Sequence, residues 1–116
     1  MDKFLETTEA REAQLEKIED RQSMLSRAWQ LTDDEADRAI MDEINDELTV
    51  QWLYLRKDKE WLFNFEDGGW NSMMAPDREI AIRKAKQEYS TSSKIDIRSF
   101  RIRTEADYRN LMSNFN

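Results

Sequence analysis

The chain has 116 residues, with 18 basic and 25 acidic side chains that give a net charge of −7. It contains no cysteine and no histidine, which excludes disulfides and thiolate metal sites and removes the commonest general base. Four Trp, five Phe and three Tyr nevertheless favour a packed fold over disorder. We therefore expect one domain over residues 1–116, with no enzymatic activity, no cofactor and no metal site.

The first 48 residues predict an acidic helical hairpin, since residues 1–48 contain 15 acids and only 6 bases. Between Lys3 and Gln30 there is no glycine or proline, and strong helix formers dominate. The pair Thr32 and Glu35 is typical of a capping box, so we expect the chain to turn near Gln30 and a second helix to follow. The apolar face predicted for that helix contains Ala36, Ala39, Ile40, Ile44 and Leu48.

From Thr49 the apolar period changes to two, which is typical of strands. "TVQWLYLR" and "WLFNFE" predict a β-hairpin around the polar turn "KDKE". Gly68 and Gly69 are predicted to end the second strand, and Pro76 to begin a third helix that extends to about Ser90. "KIDIRSFRIRT" then predicts a third strand, and "EADYRNLMSNF" a final helix.

These elements predict an α+β fold in the order α-α-β-β-α-β-α. An N-terminal acidic helical hairpin over residues 1–48 precedes a ββαβα unit over residues 49–116. In that unit, a small three-stranded antiparallel sheet packs with two helices.

The segment "GGWNSMMA" connects the second predicted strand to the third helix and admits two interpretations. In the first, Trp70, Met73 and Met74 fold back over one end of the core as part of a structural loop. In the second, they form an exposed contact surface, to which Trp and Met side chains are well suited. A phosphate-binding loop does not fit, because the chain has neither G-x-x-x-x-G-K-[ST] nor G-x-G-x-x-G.

The acidic side chains of the first two helices form a second candidate site. They do not match a calcium loop, which needs alternating acids around a glycine, so a solvated helix surface is the simplest interpretation. A dense negative surface also attracts basic grooves of the kind that bind nucleic acid. The candidate partner-binding carboxylates are Glu12, Glu16, Glu19, Asp33, Asp34 and Asp37.

Basic side chains gather in the C-terminal half of the chain, on the third helix and near the third strand. Aromatic strands beside arginines can stack on single-stranded nucleic acid. The net negative charge and the absence of a nucleic-acid-binding motif argue against it, so we expect these bases to pair with acids of this chain or of a second copy. They are Arg83, Lys84, Lys86, Lys94, Arg98, Arg101 and Arg103.

The stretch "FEDGGWNSMMAPDREIAIRKAKQEY", with the later "IDIRSFRIRTEADYRNL", resembles small accessory proteins of tailed bacteriophages. The shared features are an aromatic strand, a G-W-N turn, a helix of the "EIAIRKAK" kind and a strand ending in "SFR" before a Thr-capped helix. They cover roughly residues 60–111. The resemblance implies a short, acidic, non-enzymatic phage protein. Some of these proteins bind and inhibit host machinery such as CRISPR effectors, restriction enzymes and RNA polymerase, whereas others are parts of the virion.

Three functions are compatible with the sequence. The first is a protein-binding protein that inhibits or modulates a host nucleic-acid-processing or defence complex. It would bind the basic groove of that complex as a mimic of DNA. The second is a virion or assembly component that self-associates as a homo-oligomer, for example through a coiled coil of the first helix. The third is a nucleic-acid-binding module, which the negative charge disfavours. No apolar stretch approaches the about 20 residues of a membrane span, so we expect a cytoplasmic protein with no membrane partner.

Overall fold

The computed structural model describes residues 3–89 and 94–104. After a short 3-10 turn at Lys3–Leu5, the elements are α1 (Thr8–Leu31), α2 (Glu35–Arg56), β1 (Lys59–Phe65), β2 (Trp70–Ala75), α3 (Arg78–Glu88) and β3 (Ile95–Ile102). This order confirms the predicted α+β class, with a helical hairpin followed by a three-stranded antiparallel sheet. The predicted final helix and the predicted loop at residues 90–93 lie outside the described residues.

Helices α1 and α2 form an antiparallel hairpin, and each begins at a side-chain cap. The Thr7 hydroxyl accepts a hydrogen bond from the Ala10 amide at 3.1 Å. The Asp34 carboxylate accepts from two amides in the first turn of α2, at 2.8 and 3.4 Å. The cap of α2 is therefore Asp34 and not Thr32, whose hydroxyl accepts from the Asp34 amide instead. Both caps satisfy amides that the helix itself leaves unpaired.

The hairpin gives the molecule an elongated shape. The radius of gyration is 19.4 Å, against about 13 Å for a compact domain of this size. The principal extents are 63 × 32 × 17 Å. Residues 19–47, which we name the distal arm, are all described, and none of their side chains is buried. The outer part of the hairpin therefore has no core of its own.

The predicted strand over residues 49–56 is wrong, because α2 continues through this segment. The same residues also fit helical spacing, since Leu48, Trp52 and Leu55 lie at i, i+4 and i+7 and all belong to the packed core. These contacts outweigh the β propensity of the Val, Trp and Tyr side chains nearby. The first strand therefore begins later than predicted, and the segment predicted as a connection forms β2.

The sheet has the strand order β2-β1-β3, with β1 antiparallel to both neighbours. Trp61 of β1 pairs with Met73 on β2 and with Ile102 on β3. A register shift between Leu62 and Asn64 interrupts the pairing of β1 with β3. Both edge strands are therefore tied to one aromatic central strand.

The core lies between the sheet and the helices. Trp61 and Phe63 of β1 are fully buried, and Phe100 of β3 is 2% exposed. The Phe63 and Phe100 rings stack with centroids 4.7 Å apart. Helix α3 presents Ala81 and Ala85 to this core, both fully buried. Small alanine side chains leave room for large aromatic ones from the sheet, which is how interiors reach close packing.

The two glycines end a strand, as the sequence predicts, but they form a turn between β1 and β2 rather than the start of a connection to the third helix. Gly68 and Gly69 have φ values of +101° and +89°, and no other described residue has a positive φ. The Phe65 amide donates to the Gly69 carbonyl at 3.1 Å, and the Gly68 amide donates to the Phe65 carbonyl at 3.2 Å. Residues with a Cβ resist this backbone region, so the turn requires glycine.

Replacing Gly68 by Ala should lower the free energy of unfolding by about 1–2 kcal/mol, the usual cost of a left-handed backbone for a residue with a Cβ. A Cβ at this position meets no atom within 4 Å, so the backbone alone causes the loss. Urea denaturation measures it, with Asp67→Ala in the same turn as the control that stays close to the parent. If the two variants were equally stable, the turn would not require glycine at position 68.

A buried ion pair joins the hairpin to the sheet unit. Asp77 is fully buried and accepts a hydrogen bond from Arg11 Nε at 2.8 Å and from the Thr8 hydroxyl at 3.2 Å. The same carboxylate accepts from the Ile80 amide at 2.9 Å and so caps α3. The helix therefore begins after Asp77, and not at Pro76 as predicted. One side chain thus fixes the position of the hairpin on α3.

Candidate protein-binding surface

The predicted carboxylates of α1 form a row on one side of the hairpin. Glu12, Glu16 and Glu19 are all exposed. Their i, i+4 and i+7 positions fall on one helix face, in a row about 10 Å long. Glu19 also accepts a hydrogen bond from Trp52 Nε1 at 3.0 Å, which ties it to α2. The row therefore lies where α1 and α2 both contribute to the surface.

Helix α2 extends this negative surface. Asp42 lines a shallow groove between the helices together with Gln22, Ser26 and Asn45. Asp46 follows one turn later and is also exposed. We name this surface the acidic side of the hairpin, and its residues are Glu12, Glu16, Glu19, Asp42 and Asp46.

The other predicted carboxylates lie at the tip of the hairpin. Asp33 and Asp34 lie in the connection between α1 and α2, and Asp37 lies in the first helical turn of α2. All three are exposed. The tip begins 12 residues after Glu19 along α1, which corresponds to about 18 Å. The six carboxylates therefore form two separate groups along one projecting arm, rather than one cluster.

Internal ion pairs do not neutralise these acids. Within the described ranges, no carboxylate between Glu9 and Glu47 is in an ion pair. Residues 8–56, which include the turn, contain 13 acids and 6 bases, a net of −7. The whole chain also has a net charge of −7, so the remainder is neutral. The hairpin therefore carries the net charge on an exposed surface.

Two arginines on the hairpin contact aromatic rings. The Arg38 guanidinium lies 4.3 Å from the ring centroid of Trp29, and that of Arg56 lies 4.4 Å from the ring centroid of Trp52. A guanidinium over an indole is stabilised by the negative face of the ring. These contacts hold the two tryptophans against the hairpin, in addition to the hydrogen bond from Trp52 to Glu19.

The structure separates the three predicted residues of the Gly-Gly-Trp segment, which forms strand β2 and not a loop. Met73 packs partly buried against the core. Trp70 is 42% exposed and Met74 49% exposed. Trp70 pairs with Asn64, and Met74 with Glu60, on the face opposite Met73. Trp70 and Met74 are thus exposed on one face of the edge strand β2, while Met73 packs against the core from the other face.

An apolar side of the hairpin lies opposite the acidic side and includes part of the apolar face predicted for the second helix. There a depression is lined by Arg21, Met24, Leu25, Ala28, Ile44 and Leu48. Ile40 and Ile44, which the sequence places on the apolar face of the second helix, are 55% and 42% exposed. Their helical period identified an apolar face, but the described chain places nothing over it.

Basic residues of the sheet unit are partly used within the chain. The Arg103 guanidinium donates to both carboxylate oxygens of Glu60, at 2.7 and 2.9 Å. Arg83 lies 3.8 Å from Glu79, and Lys84 donates to the Met74 carbonyl at 3.0 Å. Within the described residues, two of these bases therefore lie close to acids of the same chain, as the sequence predicts, and the chain outside residues 8–56 has no net charge.

Comparison with models of protein families, with curated proteins and with solved structures gives no significant match. In the part of the chain that the structure describes, no group of three or more Asp and Glu side chains is placed to hold a metal ion. Over the same residues, no helix is both long and apolar enough to cross a membrane. The surfaces themselves are therefore the basis for assigning a function.

Proposed function

We propose that this chain is a phage-encoded protein-binding protein that inserts its acidic hairpin into the basic groove of a host complex that processes nucleic acid. The observation that carries the proposal is the charge of the hairpin, which equals the net charge of the whole chain and is exposed. Grooves that bind nucleic acid are lined by Lys and Arg and attract such a surface. The phage origin is supported by the sequence resemblance over residues 60–111.

The shape of the hairpin suits insertion into a groove. The 24 residues of α1 form a rod about 36 Å long. Caps at both helix starts and the anchor on Asp77 hold it in one direction. A rigid arm loses little conformational entropy on binding, which favours affinity.

The charge density indicates competition with nucleic acid rather than a full copy of its backbone. A net charge of −7 over about 36 Å is about one charge per 5 Å. Duplex DNA carries about one charge per 1.7 Å, so the hairpin has roughly a third of that density. Binding strong enough to inhibit therefore also requires apolar contacts, which Trp29 in the groove beside Asp42 can supply.

Reversing charges on the acidic side should abolish binding to a basic groove. In the variant Glu12→Lys, Glu16→Lys, Asp46→Lys, three exposed acids become bases, and the Glu19–Trp52 hydrogen bond remains. The immobilised protein is incubated with nuclease-treated bacterial lysate, and retained proteins are identified by mass spectrometry. We expect the parent to retain a nucleic-acid-binding protein that added duplex DNA releases, and the variant to lose about 10-fold or more of that retention.

The matched control reverses the same number of exposed acids on the sheet unit, namely Glu66→Lys, Asp67→Lys and Glu88→Lys. It changes the net charge equally, so it separates a local surface from a general charge effect. Binding by the control should stay close to the parent. Retention that survives the reversal on the acidic side and high salt would show that the proposed groove contact is wrong.

A further inference from the structure

We propose that the apolar side of the hairpin binds the same surface of a second copy of the chain. The resulting two-fold dimer contains a four-helix layer in which α1 of each copy lies on α2 of the other. This inference concerns the side opposite the acidic residues and does not depend on the proposed function.

The distal arm needs a covering surface. None of residues 19–47 is buried within the chain, and helices of this kind gain most of their stability from packing an apolar face. Met24 is 68% exposed and Leu31 is 87% exposed, on the same side as Ile40 and Ile44. A second hairpin would convert this exposed surface into the core of a four-helix layer.

The charges that border the apolar side favour a second copy as the occupant. By helical spacing, Lys17 and Arg21 lie seven and three residues before Met24 on α1. Glu43 and Glu47 lie three residues after Ile40 and Ile44 on α2, and all four charged side chains are exposed. No ion pair within the described chain involves any of these four side chains. One border is therefore positive and the other negative, which makes the surface complementary to itself, as a two-fold interface requires.

Arg21 and Glu47 also match in height along the hairpin. Hydrogen bonds from Gln22 to Thr49 and from Trp52 to Glu19 show which residues of the two helices lie side by side. Arg21 is one residue from Gln22, and Glu47 is two residues from Thr49. Arg21 and Glu47 therefore differ by no more than about 5 Å in height along the hairpin. Rotation about a two-fold axis parallel to the helices leaves the height of each residue along the hairpin unchanged. It therefore places Arg21 of one copy opposite Glu47 of the other.

The alternative two-fold axis, perpendicular to the helices, would place α2 against α2. Glu43 and Glu47 of the two copies would then lie near one another, and like charges at close range are destabilising. The charge pattern therefore selects the arrangement with α1 on α2. Such an interface closes on itself and produces a dimer rather than a filament.

Sedimentation equilibrium of the full chain tests the proposal. We expect a monomer–dimer equilibrium, and Ile44→Glu should weaken dimerisation by roughly 100-fold or more, because a carboxylate enters the apolar centre of the interface twice per dimer. Ser26→Glu is the matched control, since it adds the same charge to the other side of the hairpin and should leave the dimerisation constant unchanged. Circular dichroism verifies that both variants remain helical.

A charge exchange tests the arrangement of the two copies. Arg21→Glu and Glu47→Arg should each weaken the dimer by about 10-fold, and the double variant should recover most of the affinity. Lack of recovery would overturn the pairing of α1 with α2. A parent that stays monomeric at all soluble concentrations would overturn the dimer itself. A series of larger oligomers would also overturn it, and would favour the assembly component predicted as the second function.

Discussion

Replacing Asp77 by Ala should lower the free energy of unfolding by about 3–5 kcal/mol, the usual effect of removing one partner from a buried ion pair. The Asp77 carboxylate is fully buried and receives Arg11, Thr8 and the Ile80 amide. Its removal leaves the Arg11 guanidinium, only 11% exposed, without an anion, and leaves α3 without a cap. Urea denaturation monitored by circular dichroism measures the loss.

Asp34→Ala is the matched control, because Asp34 caps α2 in the same way but is exposed and belongs to no ion pair in the described chain. Loss of a cap alone costs about 1 kcal/mol. Asp77→Asn keeps a side-chain acceptor for the cap and removes only the negative charge. If the losses for Asp77→Ala and Asp34→Ala are equal, the buried ion pair contributes nothing to stability.

Phe63→Ala should also cost about 3–5 kcal/mol, since it removes a large ring from a closely packed interior. Phe63 is fully buried, and its ring stacks on Phe100 and lies 5.5 Å from Phe65 and 5.9 Å from Tyr89, between centroids. Three aromatic rings thus lose their contact with Phe63. Thermal denaturation should show a transition that is strongly shifted to lower temperature.

The control for this prediction is Trp70→Ala, which removes an even larger aromatic side chain. Trp70 is 42% exposed at the edge of the sheet, so its removal should cost only about 1 kcal/mol. A loss as large as that for Phe63→Ala would mean that Trp70 closes one end of the core, which was the first of the two interpretations of its segment. The pair of variants therefore separates a structural from an exposed tryptophan.

Much of the fold could be predicted from the sequence because its local signals agree. Helix formers without glycine or proline produce α1, and the alternating residues before Phe100 produce β3. Residues 49–56 were misassigned because their aromatic and β-branched side chains fit a period of two and a helical period equally well. Only the packing of Leu55 against the core decides between them, and that contact lies beyond any local pattern.

Part of the candidate surface could also be predicted from local sequence signals. Runs of Glu and Asp on a helix lie in solvent, so the exposure of Glu12 and Glu16 follows from the sequence. An apolar helix face indicates that the helix packs against something. It does not indicate whether the packing partner belongs to the same chain or to another. For Ile40 and Ile44 the sequence predicts an apolar helix face, and the described structure leaves them exposed. Periodicity carries no information on that difference.

The two contacts of Asp77 make the hairpin and the sheet unit depend on each other. Its carboxylate begins α3 and at the same time receives Arg11 from the hairpin. A hairpin excised on its own would retain the guanidinium without its counterion, and the severed remainder would bury a carboxylate with fewer donors. Neither fragment is thus expected to be an autonomous folding unit, and the two parts should melt together as a single cooperative transition.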